Sequence, residues 1–146
     1  MVVVDPPRTG LDEKLLNSLY ESNIKKIIYV SCNPSTLAKN IDKLSEKYKI
    51  YPTTFFQLNT NQAEVLVENV KKLAKLSAKE TVLDAYCGVG AIGLYLAKNS
   101  KEIIGIESNN EAVIAAKENA KMNKIDNASF YCGDASNIIT DMIKKR

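Results

Sequence analysis

Residues 81–107 read TVLDAYCGVGAIGLYLAKNSKEIIGIE, and this stretch indicates the fold class. An apolar run reaches Asp84, and a loop that contains Gly88 and Gly90 follows it. A second apolar run ends at Glu107. Because glycine has no Cβ, the loop can turn tightly and a ligand can approach its backbone. The order predicts a strand, a glycine loop, a helix and a parallel second strand.

The rest of the chain repeats this alternation. Continuous β-branched runs are typical of strands buried on both faces of a parallel sheet, and amphipathic stretches such as the one with Leu15, Leu16 and Leu19 separate them. We therefore predict an α/β fold with a doubly wound, mostly parallel sheet and helices on both faces. The predicted strands cover residues 2–5, 26–31, 49–55, 81–85, 102–107 and 129–132.

Composition limits the functional classes. The 146 residues, 45% of them hydrophobic and with a net charge of +3, fit one globular domain over residues 1–146. No apolar window is long enough to span a membrane and no signal peptide is recognisable, so we expect a cytoplasmic protein. The absence of His excludes Ser-His and Cys-His catalysis, and the three cysteines lack zinc-ligand spacing, so we expect no metal.

The glycine loop is compatible with two cofactors. Gly88-x-Gly90-x-x-Gly93 matches the fingerprint of dinucleotide-binding loops, and Glu107 can accept hydrogen bonds from ribose hydroxyls. Asp84 favours S-adenosylmethionine, because a carboxylate there would repel a pyrophosphate and suit a sulfonium and an ammonium group. An NAD-dependent oxidoreductase remains the alternative, and the glycines could also serve only to pack a helix on the sheet.

Other loops follow the strand ends, where α/β sheets bind ligands. Asp134 either accepts a hydrogen bond from an adenine amino group or caps a helix. In the DPPR loop, which opens with Asp5 to Arg8 and continues to Leu11, two prolines fix φ and make a rigid support for a substrate. Amino-group methyltransferases have an aromatic residue where this chain has Arg8, so different chemistry is expected.

Cys32 ends a strand and precedes Asn33 and Pro34, which are favoured at a helix N-cap and first turn. A helix N-terminus increases the thiolate fraction of a nearby cysteine. We predict that the Cys32 thiolate adds to C6 of a pyrimidine so that C5 takes a methyl group, although a lone cysteine can also be a small buried apolar residue. Cys32 should be the most readily alkylated of the three thiols, ahead of Cys87 and of Cys132, which falls inside a predicted strand.

Four stretches carry a family resemblance: VVVDPPRTGLD, IIYVSCNPSTLAKNI, FFQLNTNQAEVL and VLDAYCGVGAIGL. They resemble the RNA uracil-C5 methyltransferases that make 5-methyluridine in tRNA and 23S rRNA. The resemblance implies a class I Rossmann-like methyltransferase fold, S-adenosyl-L-methionine as cofactor and an RNA substrate. By the same resemblance Cys32 is the nucleophile and Arg8 lies beside it. The residues that would contact or close the cofactor site are Gln57, Tyr86, Glu107 and Asp5.

The order of the motifs differs from that of the family, in which the FFQ and glycine-loop motifs precede DPPR and SCNP. The reversed order indicates a circular permutation, since domain termini are often close in space. Residues 1–50 would then carry the substrate and nucleophile half, 51–60 a connector and 61–146 the cofactor half.

The permutation makes two structural predictions. Met1 should lie near Arg146, and the strand at Val2 should adjoin the strand at Thr81.

The family also carries an RNA-binding β-barrel and a segment whose Glu removes the C5 proton, and neither is recognisable in these residues. Glu64 lies in a superficially similar T-x-x-x-E pattern. We therefore expect weak RNA binding, little turnover and accumulation of a covalent adduct. The alternative from another class is a non-catalytic, permuted scaffold that binds the cofactor.

Overall fold

The computed structural model describes residues 1–45 and 60–145. Within these residues, five strands form one parallel sheet in the order β2-β1-β3-β4-β5. The strands are β1 (Val2–Val4), β2 (Ile27–Tyr29), β3 (Thr81–Ala85), β4 (Glu102–Glu107) and β5 (Ala128–Cys132). Five of the six predicted strands are therefore confirmed, and the prediction for residues 49–55 lies outside the described residues.

Helices alternate with these strands as predicted. They are α1 (Glu13–Glu21), α2 (Pro34–Ser45), α3 (Thr60–Ala74), α4 (Ala91–Leu96), α5 (Asn110–Met122) and α6 (Ala135–Lys144). Side-chain caps begin several of them, because the first backbone N–H groups of a helix lack partners within it. Asp12 caps α1, Asn109 caps α5 and Asp134 caps α6.

Strand β1 lies inside the sheet between β2 and β3. Val3 pairs with Ile28 on one side and with Asp84 on the other, and its side chain is fully buried. A run of three valines suits this position because both faces of the strand are covered. The predicted adjacency of the strands at Val2 and Thr81 is thus confirmed. The predicted proximity of the termini involves Arg146, which lies outside the described residues.

The two faces of the sheet bury different helices. Helices α1 and α6 pack on one face, where Leu19 and Ile139 meet Val4. Helices α3 and α4 cover the other face through Val70 and Leu96, and α5 packs beyond them. From β1 the chain continues to the neighbouring β2, and from β3 it continues in the opposite direction to β4. Such a reversal creates a crevice at the carboxyl ends of β1 and β3, where open α/β sheets bind ligands.

Candidate functional site

The crevice is bordered by the loops that follow β1 and β3. The DPPR loop begins at Asp5, whose N–H donates a long hydrogen bond of 3.4 Å to the carbonyl of Ala85. The glycine loop begins one residue later, at Tyr86, and Cys32 lies on the loop that follows the adjacent β2. Parallel pairing brings these loops to one edge of the sheet, so the two halves of the sequence meet there.

Three residues of the glycine loop have left-handed backbone angles: Tyr86 at φ 62°, Gly88 at 53° and Gly90 at 83°. A Cβ on Gly90 would lie 3.0 Å from the Phe130 ring and 3.3 Å from Ala116 Cβ. A Cβ on Gly88 would meet nothing within 4 Å. Both glycines were predicted to bind a cofactor. The structure separates them, since Gly90 permits packing against α5 and β5 while Gly88 presents its backbone to open space.

Glu107 connects the end of β4 to this loop. Its Oε2 accepts a hydrogen bond from the N–H of Gly88 at 3.0 Å, and its Oε1 accepts from Asn109 N–H at 2.9 Å and the Ser108 hydroxyl at 3.1 Å. Partial burial acts to raise the pKa of Glu107, but the backbone N–H donors of Asn109 and Gly88 outweigh it and the pKa is lowered. The group is therefore a carboxylate at neutral pH. A ribose that binds here must share the Glu107 carboxylate with the backbone N–H groups of Gly88 and Asn109.

Asp84, predicted to lie beside a cationic ligand, is enclosed at the end of β3. Its side chain is 1% exposed, and its Oδ2 accepts a hydrogen bond from Gly93 N–H at 2.8 Å, beneath helix α4. Burial raises its pKa to about 7, against a lowering effect of the Gly93 N–H and with a further rise from the charge of Asp5. The carboxyl group is therefore enclosed and partly protonated at neutral pH, so it presents less negative charge than the argument about a pyrophosphate assumed.

Tyr86 and Asp134 also interact with helix α6. The Tyr86 side chain is half-buried in the core, and its pKa is raised by burial, against a hydrogen bond with Ser136 that lowers it. The exposed Asp134 accepts a hydrogen bond from Asn137 N–H at 2.8 Å and caps α6. This is the capping alternative of the two predicted for Asp134.

The DPPR and SCNP loops are bound to each other. The carbonyl of Arg8 accepts hydrogen bonds from Asn33 Nδ2 at 3.0 Å and from Thr36 Oγ1 at 3.1 Å. Asn33 also accepts from Ser35 N–H at 3.1 Å, and α2 begins at Pro34, so the predicted cap is confirmed. The side chains of Arg8 and Cys32 are both exposed on these touching loops.

Asp5 is a second carboxyl group at this edge of the sheet, at the start of the DPPR loop. It is half-buried, and burial raises its pKa from the ordinary value. Its charge contributes to the raised pKa of both Asp84 and Tyr29, so the carboxylate lies near both groups. Together with Glu107 it places two carboxyl groups at the edge where Gly88 is open. This arrangement fits a ligand that carries a ribose and a positively charged tail.

Asn40 is a site-supporting residue that sequence reasoning missed. It is 9% exposed on α2 and hydrogen bonds to Leu11 of the DPPR loop and to Tyr29 of β2. The available signal was its spacing. Asn40 is a polar residue three positions after Leu37 and four before Leu44, so helical spacing puts it on the same side of the helix as these two leucines.

Two predicted residues cannot be placed. Gln57, predicted to contact the cofactor, and the Glu64 side chain lie outside the described residues. Among the residues that the structure describes, no group of three or more Cys, Asp or Glu is arranged to hold a metal ion. In the same ranges, no helix is long and apolar enough to cross a membrane.

The three cysteines differ in their surroundings, and their alkylation rates should follow. Burial raises the pKa of the Cys87 thiol to about 12, and the charges of Asp84 and Glu107 add to the shift. Cys32 and Cys132 are exposed. The expectation that its strand shields Cys132 is therefore wrong, because Cys132 is exposed at the last position of β5.

We expect iodoacetamide at pH 8 to modify Cys32 and Cys132 well before Cys87, as read by peptide mass spectrometry. Early modification of Cys87 would contradict the buried position of its thiol.

Known protein families match both the segment with the DPPR and SCNP loops and the segment with the glycine loop. Residues 1–57 match the family model described as tRNA (Uracil-5-)-methyltransferase, and residues 76–145 match one described as a methyltransferase domain. An uncharacterized RNA methyltransferase of Clostridium tetani is 35% identical over 150 residues, which cover 91% of this chain. The chain belongs to the RNA uracil-5-methyltransferase family. Its doubly wound parallel sheet is the class I Rossmann-like methyltransferase fold.

The chain spans a minor part of its relatives in this family. It covers 32% of the Clostridium tetani protein. An uncharacterized RNA methyltransferase of Enterococcus faecalis is 44% identical over 98 residues, which are 67% of this chain and 21% of that protein. A solved structure, the Pyrococcus abyssi tRNA (uracil-54, C5)-methyltransferase in complex with S-adenosyl-L-homocysteine, is 39% identical over 58% of this chain and 21% of its own, with a TM-score of 0.46.

Proposed function

We propose that this chain carries the cofactor site and the nucleophile of an S-adenosyl-L-methionine-dependent methyltransferase that modifies uracil C5 in RNA. The observation that carries the proposal is the contact between the DPPR and SCNP loops beside the glycine loop. The Arg8 carbonyl is bound by the side chain of Asn33, the residue after Cys32, and β1 pairs directly with β3. A nucleophile, a rigid substrate loop and a cofactor loop thus share one edge.

Residues of the second half hold the cofactor in this proposal. Gly88 leaves room for the ligand, and Glu107 accepts hydrogen bonds from the ribose while its N–H contacts keep the loop in place. Asp5 lies across the crevice and faces the positively charged part of the ligand. When bound, S-adenosyl-L-methionine supplies the methyl group as an electrophile. Gln57, Tyr86 and Asp134 remain proposed contacts on the family resemblance.

The first half activates the base. The thiolate of Cys32 forms a bond to C6 of uracil, and the electron pair that this addition places at C5 would take the methyl group as the sulfonium–methyl bond breaks and S-adenosylhomocysteine leaves. Loss of the C5 proton then returns an electron pair to the ring, and the C6–S bond breaks to release the thiolate. Arg8, beside Cys32, orients the base. Glu64 stays a weak candidate for the proton acceptor.

The proposal includes four further points. They are the permuted order, the division into halves at residues 51–60, the RNA partner and a cytoplasmic location. The chain has a net charge of only +3, and its sequence contains no block of basic residues. RNA affinity should therefore be low and should fall steeply as the salt concentration rises. A non-catalytic scaffold would bind the cofactor but would form no covalent adduct with RNA. An experiment with RNA that contains 5-fluorouridine distinguishes it from an active enzyme.

Cofactor binding can be tested through Glu107. We expect calorimetry to detect S-adenosylhomocysteine binding and no binding of NAD, because the matched families are methyltransferases. Glu107→Gln should weaken the binding by about 1.5–3 kcal/mol, because a charged acceptor for the ribose is lost. Glu111→Gln, an exposed change one helix turn away, is the matched control. Equal affinities of the wild type and Glu107→Gln would remove Glu107 from the site, and tighter binding of NAD would favour the oxidoreductase alternative.

The nucleophile can be tested with RNA that contains 5-fluorouridine. Fluorine at C5 cannot leave as a proton does, so a methylated adduct persists whether or not a base is present. We expect a covalent protein–RNA band on a denaturing gel when S-adenosylmethionine is added. Cys32→Ser should abolish the band, and Cys132→Ser, which removes the other exposed thiol, should retain it.

The outcomes of this experiment separate the hypotheses. An adduct that depends on Cys32 supports the proposed function. Retention of S-adenosylhomocysteine binding without any adduct would favour the scaffold. Repeated formation of 5-methyluridine on ordinary RNA would overturn the expectation of little turnover and direct attention to Glu64.

A further inference from the structure

Asn40 has a buried polar side chain that the proposed chemistry does not use. It lies on the inner side of α2 at 9% exposure, among apolar neighbours of the first core cluster. A buried amide is costly unless its donors and acceptor find partners. The partners of Asn40 therefore indicate what this side chain does.

Its hydrogen bonds join three segments of the chain. Asn40 Oδ1 accepts from Leu11 N–H at 2.9 Å and from the Tyr29 hydroxyl at 2.7 Å, and its Nδ2 donates a long bond to the Leu11 carbonyl at 3.5 Å. Burial raises the pKa of Tyr29 to about 12, so its hydroxyl keeps the proton that it donates at any physiological pH. One side chain thus connects α2, β2 and the end of the DPPR loop.

The loop can approach Asn40 closely because residue 10 is glycine. Gly10 has φ 81°, and a Cβ there would lie 2.6 Å from Asn40 Oδ1 and 3.3 Å from Thr36 Cβ. Any side chain at this position would push the loop away from α2. The missing Cβ of Gly10 therefore leaves the space that the Asn40 amide occupies.

A second pair of hydrogen bonds holds the same loop from the same helix. The carbonyl of Arg8 accepts from Asn33 and Thr36, at the start of α2 and next to Cys32. Asn40 lies one to two turns further along the helix, where it anchors Leu11. The DPPR loop is thus attached at two points to the helix that begins beside the nucleophile.

We propose that Asn40 is a positioning residue that holds the DPPR loop on helix α2 and so fixes Arg8 relative to Cys32. The effect on catalysis rests on the proposed function, whereas the effect on the loop does not. Misplacement of a reacting group by about 1 Å can reduce a rate about 100-fold. Loss of the Asn40 contacts should therefore slow the reaction without removing the cofactor site, which lies across the crevice.

The test compares Asn40→Leu, which removes every hydrogen bond at similar volume, with Asn40→Asp, which keeps two acceptor oxygens for Leu11 N–H and the Tyr29 hydroxyl. With 5-fluorouridine RNA we expect Asn40→Leu to form the adduct about 100-fold more slowly than the wild type. Asn40→Asp should restore most of the rate. Calorimetry with S-adenosylhomocysteine should give affinities within about twofold for all three proteins. A purely structural role would weaken cofactor binding as much as it slows the adduct.

Limited trypsin digestion tests the loop independently of catalysis. Arg8 is exposed, and cleavage after it requires the loop to leave α2. We expect Asn40→Leu to be cut there at least tenfold faster than the wild type or Asn40→Asp. Thr36→Val is a near-isosteric change that removes the hydrogen bond from Thr36 to the Arg8 carbonyl, and it should increase the cleavage rate less than Asn40→Leu does. This variant replaces Asn40→Leu in the test if Asn40→Leu does not fold. Equal cleavage in all variants would overturn the proposal, even if no RNA adduct forms.

Discussion

Asp84→Asn is expected to stabilise the protein by up to about 4 kcal/mol at pH 8. The pKa of the buried Asp84 is about 7 rather than 3.8. Each unit of such a shift corresponds to about 1.4 kcal/mol of differential stability. Asparagine has the size of the protonated acid and can accept the Gly93 N–H in the same way, but it carries no charge to bury.

The direction of the pH dependence follows from the raised pKa. Below 3.8 both the folded and the unfolded states hold the proton, so the favourable contribution is complete. It is lost as the pH rises to about 7, because the unfolded state ionises first. Urea unfolding of the wild type, Asp84→Asn and the exposed control Asp126→Asn at pH 5 and pH 8 measures this difference. Asp84→Asn should lose less stability than the other two proteins.

The same variant tests whether Asp84 contacts the cofactor. Because the side chain is enclosed beneath α4, we expect S-adenosylhomocysteine affinity to stay within about threefold of the wild type, well under the roughly 10-fold of a lost charged hydrogen bond. A tenfold or greater loss, with unfolding unchanged, would show that the Asp84 charge reaches the ligand after all. That result would restore the role first inferred from the sequence.

Gly90→Ala is expected to destabilise the protein by about 2–5 kcal/mol. The new Cβ would meet the Phe130 ring at 3.0 Å, and the backbone is at φ 83°. Left-handed strain contributes about 1–2 kcal/mol and overpacking about 1–3 kcal/mol. Chemical denaturation monitored by circular dichroism measures the loss.

Gly88→Ala is the matched control for this packing effect. Gly88 also has a positive φ, of 53°, but no atom lies within 4 Å of the added Cβ, so only the backbone strain of about 1–2 kcal/mol remains. In contrast, its methyl group enters the space assigned to the cofactor, and S-adenosylhomocysteine affinity should fall at least tenfold, about 1.4 kcal/mol. Equal destabilisation by both variants would mean that the Phe130 contact does not limit the packing.

Much of the fold could be predicted because local patterns specify it. The bounds of β3 and β4 agree with the prediction, since β-branched runs between turn residues identify strands without tertiary information. The start of α2 was predictable from the cap at Asn33 and the proline after it. The pairing of β1 with β3 was predicted through the family resemblance, because no local pattern specifies which distant strands pair.

The sequence by itself therefore determined the order of strands and helices, the family, and which loops reach the edge of the sheet with Cys32, Arg8 and Glu107. Tertiary packing decided which of those side chains face the crevice. Asp84 is enclosed beneath α4, where it accepts the Gly93 N–H, and Gly90 lets the loop lie against Phe130 because it has no Cβ. It also decided the role of Asn40, whose partners at Leu11 and Tyr29 are distant in sequence. Motif spacing specifies where the backbone turns, but the orientation and hydrogen bonds of a side chain depend on the surfaces that pack around it.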